Sequence, residues 1–185
     1  MKRIHFFCLF ILFNSTCFAQ NIQFSSAELK SWILNNPTVL EPGWGFTMAD
    51  LNNDGEISVY EGSRITHIRR QRTSVTPVLL NDFTDLLNFP LLEWLDFGTD
   101  LTQVDLNSIP DLEYLYVEFN NQINSSLDIS DLSSLIRVEA KFENNNVSNT
   151  NGISLNVSGL QLLEGLRIHN YATSNIDFNN LPNLS

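Results

Sequence analysis

One run of polar residues in this chain has a composition and spacing suited to cation chemistry. Residues 50–61 carry side-chain oxygens at the first, third and fifth positions, a glycine at the sixth and a glutamate at the twelfth. Oxygen ligands at this spacing converge on one Ca2+ ion as the chain curls around it, and the glycine permits the sharp turn. An ordinary solvated turn of Asn, Asp and Gly is the alternative. The predicted metal ligands are Asp50, Asn52, Asp54, Glu56 through its main-chain carbonyl, Ser58 directly or through water, and Glu61.

The segments on either side of this loop determine how it is held. Ser25 or Ser26 is placed to cap a helix predicted from Ala27 to about residue 35. Prolines and glycines between residues 37 and 45 prevent that helix from running directly into the loop. A helix leaving the loop is predicted from Val59 to about residue 64. The loop therefore lacks the full entering helix of a complete helix–loop–helix calcium motif.

The first 19 residues have the pattern of a secretory signal peptide. Two basic residues precede an apolar run over 6–13, and small side chains in the segment 16–19 indicate cleavage before Gln20. The apolar run is too short to span a membrane. Lipid attachment at Cys17 is the alternative, although the residues before it do not match the lipoprotein pattern. We therefore expect a secreted or cell-surface protein.

Removal of this leader changes the composition of the chain. Both cysteines lie within it, so the mature protein would have no disulfide. The ten Lys and Arg residues would fall to eight against 21 Asp and Glu, a net charge of −13. Such a charge disfavours nucleic acid and anionic membrane surfaces as partners, and it suits a calcium-binding protein.

The residue types needed for catalysis are scarce. Beyond the leader, the histidines are His67 and His169, and no cysteine remains. The sequence has no nucleophile motif, phosphate-binding loop or zinc-ligand pair. We therefore expect a protein that is not an enzyme.

An internal repeat occupies the second half of the chain. The pattern L-x-x-[LV]-x-h, where h is apolar, starts at leucines that lie 20, 23, 28 and 21 residues apart. A second apolar set, beginning with Val104-Asp105-Leu106, closes each unit, and residues 143–152 read as an insertion in the third unit. The leading leucines are Leu92, Leu112, Leu135, Leu163 and Leu184.

These units resemble the leucine-rich-repeat family over roughly residues 86–185. The resemblance implies an α/β solenoid with short parallel strands on a concave face. Together with the leader and the loop, the chain resembles secreted flavobacterial-type repeat proteins with an EF-hand-like or dockerin-like calcium loop. This resemblance implies three parts: a signal peptide (1–19), a helical EF-hand-like calcium-binding cap (20–72), and leucine-rich repeats with an incomplete last unit (73–185).

Strand alternation predicts which side chains face the concave surface. The leucine-type residues point inward, so the intervening residues point outward and form rows across neighbouring strands. Aromatic residues and arginine are enriched in binding interfaces. The predicted partner-binding residues are Trp94, Asp96, Tyr114, Tyr116, Glu118, Arg137, Glu139, Lys141, Arg167 and His169.

These patterns favour an exported, non-enzymatic calcium-binding module that binds an unidentified protein or glycan at the cell surface. We expect a monomer without a membrane span and without nucleic acid as a partner. The alternative is a calcium-stabilised structural spacer for a further domain.

Overall fold

The computed structural model describes residues 20–70, 77–101, 103–104, 106, 109–120, 126–142, 154–169, 175–177 and 179–184. The predicted signal peptide and the predicted insertion at residues 143–152 lie outside these ranges. Within them, no helix has both the length and the apolar composition needed to cross a membrane.

The N-terminal part contains two short helices and a β-hairpin. Helix α1 (Ala27–Asn35) begins where predicted, because the Ser26 side chain accepts a hydrogen bond from the amide of Leu29 at 3.1 Å. Strands β1 (Val39–Glu41) and β2 (Gly45–Thr47) pair in antiparallel orientation, and a single helical turn, α2 (Val59–Gly62), follows the acidic loop.

The remaining described strands form two parallel sheets. The strands of the six-stranded sheet are β3 (His67–Ile68), β4 (Val78–Leu79), β5 (Trp94–Thr99), β7 (Tyr114–Phe119), β9 (Arg137–Phe142) and β11 (Gly165–His169). Those of the four-stranded sheet are β6 (Gln103–Val104), β8 (Ser126–Asp128), β10 (Ser154–Asn156) and β12 (Asn175–Asp177). The first sheet has the order β11-β9-β7-β5-β3, with β4 also paired to β5, and the second has the order β12-β10-β8-β6.

The prediction of an α/β solenoid with a helical EF-hand-like cap is wrong. The described residues contain two α-helices, of nine and four residues, and the rest of their regular structure is mostly β-strand. In the N-terminal part, the prolines and glycines that block an entering helix allow the hairpin β1–β2 instead. In the repeat region, the second apolar set forms the strands of the four-stranded sheet, which the sequence analysis did not predict.

The repeat period sets the register of the six-stranded sheet. Equivalent residues of successive units pair directly, so that Trp94 lies beside Tyr114, Tyr114 beside Arg137, and Arg137 beside Gly165. These are the rows predicted from the sequence. Residues between the rows, such as Leu95, are buried in the hydrophobic cluster. The leading leucines of the four complete units are buried there as well.

Residues 77–88 lead into the first unit of the six-stranded sheet. Val78–Leu79 pairs with β5 in parallel orientation. Leu87 is 62% exposed. It lies in a 3-10 turn (Thr84–Asn88) that turns the neighbouring Leu86 inward instead.

Candidate functional site

Aromatic side chains form a stack along the first outward row of the six-stranded sheet. The rings of Trp94 and Tyr114 are nearly parallel, with centroids 4.6 Å apart and an interplanar angle of 16°. His67 stacks on the other side of Trp94, at 6.0 Å. Direct pairing of residues on adjacent strands brings such side chains into contact. The rings are half-buried or buried, and each packs against its neighbour along the row.

The N-terminal hairpin extends this stack. The Phe46 ring meets His67 edge-on at 4.8 Å, and the Arg69 guanidinium lies 4.0 Å from the centroid of the Phe46 ring. Burial and the positive charge of Arg69 lower the pKa of His67 to about 4. His67 is therefore neutral at physiological pH, and it serves here as a packed aromatic residue.

The second outward row, which begins with a buried carboxylate, consists of Asp96, Tyr116, Glu139 and Arg167. Asp96 was predicted to face solvent, but it is 7% exposed. The Nε of Arg70 donates to its Oδ2 at 3.0 Å, and the same guanidinium lies 4.2 Å from the centre of the Tyr116 ring. Burial raises the pKa of Asp96, and the Arg70 charge opposes that effect. Asp96 is thus a structural ion-pair partner, not a free contact for a ligand.

Ion pairs also engage most side chains of the third outward row. This row consists of Gly98, Glu118, Lys141 and His169. Glu118 was predicted to face a partner, yet it is buried and pairs with Lys141 and, at 3.5 Å, with Arg70. Between these rows, Glu139 accepts from His169 at 2.9 Å and lies 3.6 Å from Arg167. The predicted concave face therefore divides into a sealed ionic half and an accessible half.

The accessible half contains a pocket of about 550 Å3. Small-molecule sites in proteins commonly measure about 300–1,000 Å3. Gly165 forms part of its lining, and a Cβ added there would meet only the Arg137 side chain, at an ordinary contact distance of 3.6 Å. The absence of a side chain at this position keeps the end of the aromatic row open. The side chains lining the pocket include Trp94, Tyr114, Tyr116, Arg137, Glu139, Glu164 and Arg167.

The acidic loop at residues 50–61 is folded on its own side chains. Asp50 accepts from the amide of Gly55 at 3.0 Å, and Asn52 accepts from the amide of Asp54 at 3.1 Å. Asp54 accepts from the amide of Glu56 at 2.8 Å. Gly55 has a φ of 79°, the left-handed region that glycine adopts without steric cost. The residue types at the turn are therefore those its geometry requires.

Glu61 closes the loop from its far end. One carboxylate oxygen accepts from the amide of Leu51 and the other from the amide and hydroxyl of Ser58, all at 2.8 Å. Burial alone would raise the pKa of Glu61, but these donors hold it below its ordinary value. The intervening Ile57 is fully buried, and its carbonyl accepts from the amide of Ile22 at 2.8 Å.

The loop meets part of the requirements of a calcium ion. All its candidate donors are oxygens, which suits calcium, and the Glu56 carboxylate pairs with Lys30, which leaves the Glu56 carbonyl for the predicted role. In the ranges that the structure covers, however, no three His, Cys, Asp or Glu side chains converge as a metal-holding group. The loop thus has the donor chemistry of a calcium site, and its carboxylates are engaged by loop amides.

Several residues of the site were absent from the sequence predictions. Arg70 seals the second and third rows, whereas Phe46, His67 and Arg69 extend the first. One signal was present in the sequence, since the adjacent basic residues Arg69 and Arg70 lie between the acidic loop and the first repeat unit. Its role depends on strand pairing and could not be read from composition.

The chain matches no protein-family model, no curated protein and no solved structure.

Proposed function

We propose that this chain is an exported, non-enzymatic binding module that holds a glycan or protein ligand in the pocket of the six-stranded sheet. The observation that carries the proposal is the Trp94–Tyr114 ring stack at the wall of that pocket. Aromatic side chains already held in place lose little conformational entropy when a ligand binds. Half-buried rings beside an open cavity can therefore contact a ligand at a small entropic cost.

We also propose that the loop at residues 50–61 binds one calcium ion and stabilises the N-terminal part of the module. Supporting observations are its oxygen donors, the left-handed Gly55 and the contact of Glu61 with the start of the loop. A carboxylate has about four lone-pair sites, so it can coordinate a cation while it still accepts from a loop amide. Calcium would supply negative-charge neutralisation and order, not chemistry on a ligand.

The binding proposal is tested by filling the pocket. Gly165→Leu adds a side chain where no backbone clash or strain opposes it, so the fold should persist. Ser154→Leu is the matched control, because it adds the same side chain to an exposed position on β10, in the other sheet. On an array of glycans and secreted proteins, the wild type and Ser154→Leu should bind the same ligands, and Gly165→Leu should lose them.

Absence of any ligand for the wild type would contradict the proposal and favour the structural-spacer alternative. Ligands retained by Gly165→Leu would place binding elsewhere on the molecule. Alanine substitution of Trp94 or Tyr114 is a poorer test, because each ring supports its neighbour. Their loss should lower the stability of the fold as well as remove a contact for the ligand.

A further inference from the structure

The carboxylates around the pocket have partners among the described residues of the protein, whereas one of the cations does not. Asp96 pairs with Arg70, Glu139 pairs with His169 and Arg167, and Glu164 also has a partner. Arg137 is different: it is exposed at the pocket, and its guanidinium forms no ion pair or hydrogen bond with the described part of the chain. The N–H donors of this cation can therefore bind a ligand.

A free guanidinium favours a ligand with a planar anionic group. Five N–H donors in a fixed fork match the two oxygens of a carboxylate, and such pairs are stronger than neutral hydrogen bonds. Arg137 lies between Tyr114 and Gly165 in the same row. A carboxylate bound to it would therefore sit next to an aromatic ring and above the open end of the pocket.

The surrounding carboxylates limit how much negative charge the ligand can carry. Glu139 and Glu164 line the same pocket, and the whole chain has a formal net charge of −11. A polyanion or a strongly acidic peptide would be repelled by both. A ligand with one carboxylate and several hydroxyls avoids this repulsion, because hydroxyls can donate to Glu139 and Glu164 and accept from Arg167.

We propose that the pocket binds a glycan through a sugar unit that carries one carboxylate, a uronic-acid type of residue, with the carboxylate on Arg137. The inference rests on the proposed function, since it names the ligand of the same pocket. The cavity of about 550 Å3 accommodates a short segment of such a glycan. Gly165 provides the room for the sugar ring beside the guanidinium.

The test compares a trisaccharide that contains one galacturonic acid unit and two neutral sugars with its methyl ester, which removes the single charge and keeps the sugar. Calorimetry at a fixed calcium concentration should show the wild type binding the acid about ten- to one-hundred-fold more tightly than the ester, the effect of a charge-assisted hydrogen bond. Arg137→Gln should bind both about equally and weakly. Arg137→Lys, which keeps the charge and loses the fork, should fall between them.

Control variants separate this pocket from general charge effects. Lys30→Gln removes one cation from α1 and should leave the preference for the acid unchanged. Gly165→Leu should abolish binding of both sugars. Equal wild-type affinity for acid and ester would overturn the carboxylate inference while leaving a glycan-binding module intact.

Other outcomes also decide between the two proposals. No binding of either sugar, together with protein ligands on the array that Gly165→Leu loses, would overturn the inference and support the proposed function. Tighter binding of a tetraglutamate peptide than of the acidic sugar would likewise overturn it in favour of an acidic peptide. Preference for the acid in Arg137→Gln would assign the carboxylate to another residue.

Discussion

At the scale of single residues, His67 shows how packing changes the chemistry of a side chain. It lies between the Phe46 and Trp94 rings, and its Nδ1 is 2.9 Å from the Thr66 hydroxyl. With Arg69 nearby, the folded protein resists protonation of this imidazole, so its pKa is about 4 against an ordinary value of 6.5. The unfolded chain has no such resistance.

This difference predicts an acid-dependent loss of stability. Between pH 6.5 and about 4, the unfolded state binds a proton at His67 that the folded state does not, so stability falls as the pH falls. This loss of stability reaches roughly 3 kcal/mol once the pH has fallen to about 4, and it is absent above pH 6.5. His67→Phe keeps an aromatic ring in the stack and should flatten the profile in this window, measured by urea unfolding. An equal slope in wild type and variant would show that another group titrates there.

We also expect the Arg70–Asp96 ion pair to contribute to the free energy of unfolding. Arg70→Met would leave a buried carboxylate without its cation and should lower the free energy of unfolding by about 3 kcal/mol. Asp96→Asn removes the charge that needs compensation, so adding it to Arg70→Met should recover part of the loss. A double-mutant cycle by urea unfolding measures the coupling, expected to be about 1–3 kcal/mol. Additive losses would show that the two side chains act independently.

At the scale of elements, one carboxylate links the first helix to the turn that precedes β5. Asp85, in the 3-10 turn, is buried and accepts from the amides of Ser25 and Ser26, each at 2.9 Å. These amides lie at the start of α1, where backbone donors have no helical partner. The contact joins segments 60 residues apart in the sequence.

Loss of this link should be costly and graded. Asp85→Ala leaves both amides without an acceptor, and unfolding should become easier by about 2–4 kcal/mol. Asp85→Asn keeps one acceptor oxygen and should lose about half as much. The exposed Asp131→Ala serves as a control with little effect. Circular dichroism with urea would measure all three, and equal stability of Asp85→Ala and wild type would contradict the role assigned to this contact.

At the scale of the whole molecule, one hydrophobic cluster joins the N-terminal part to both sheets. It includes Ile22 and Leu29 before the acidic loop, Leu95 in the six-stranded sheet and Leu127 in the other sheet. Strand β3, which follows the loop, pairs directly with β5. A core shared in this way favours unfolding as a single cooperative unit.

The proposed calcium site should therefore affect the stability of the entire module. A ligand that binds only the folded state raises its stability by RT ln(1+[L]/Kd), so chelation should lower the midpoint of one shared thermal transition. Asp50→Ala should remove the calcium response, and Asp111→Ala, an exposed acidic residue outside the loop, should retain it. Tryptophan fluorescence and far-ultraviolet circular dichroism should report the same midpoint.

Solution scattering with and without calcium supplies the complementary measurement. The overall dimensions should remain the same, because calcium is proposed to stabilise the folded module and not to switch its shape. A large expansion or opening on calcium binding would indicate a sensor. An unchanged melting midpoint after chelation would argue that the acidic loop is an ordinary turn.

The sequence by itself determined the features that depend on neighbouring residues or on the repeat. Ser26 and the apolar spacing after it specify α1, and the L-x-x-[LV]-x-h pattern specifies successive parallel strands in register. Because side chains alternate along a strand, that register also fixed which residues share an outward row. The Trp94–Tyr114 contact follows directly from it.

Only the tertiary structure decided which outward residues are accessible and what they contact. Asp96 and Glu118 belong to outward rows, yet Arg70 arrives from β3's end and, with Lys141, encloses them in ion pairs. The four-stranded sheet and the pocket at Gly165 likewise arise from segments that meet only in the folded chain. Burial, charge pairing and cavity shape depend on residues far apart in sequence, and local patterns do not encode those distances.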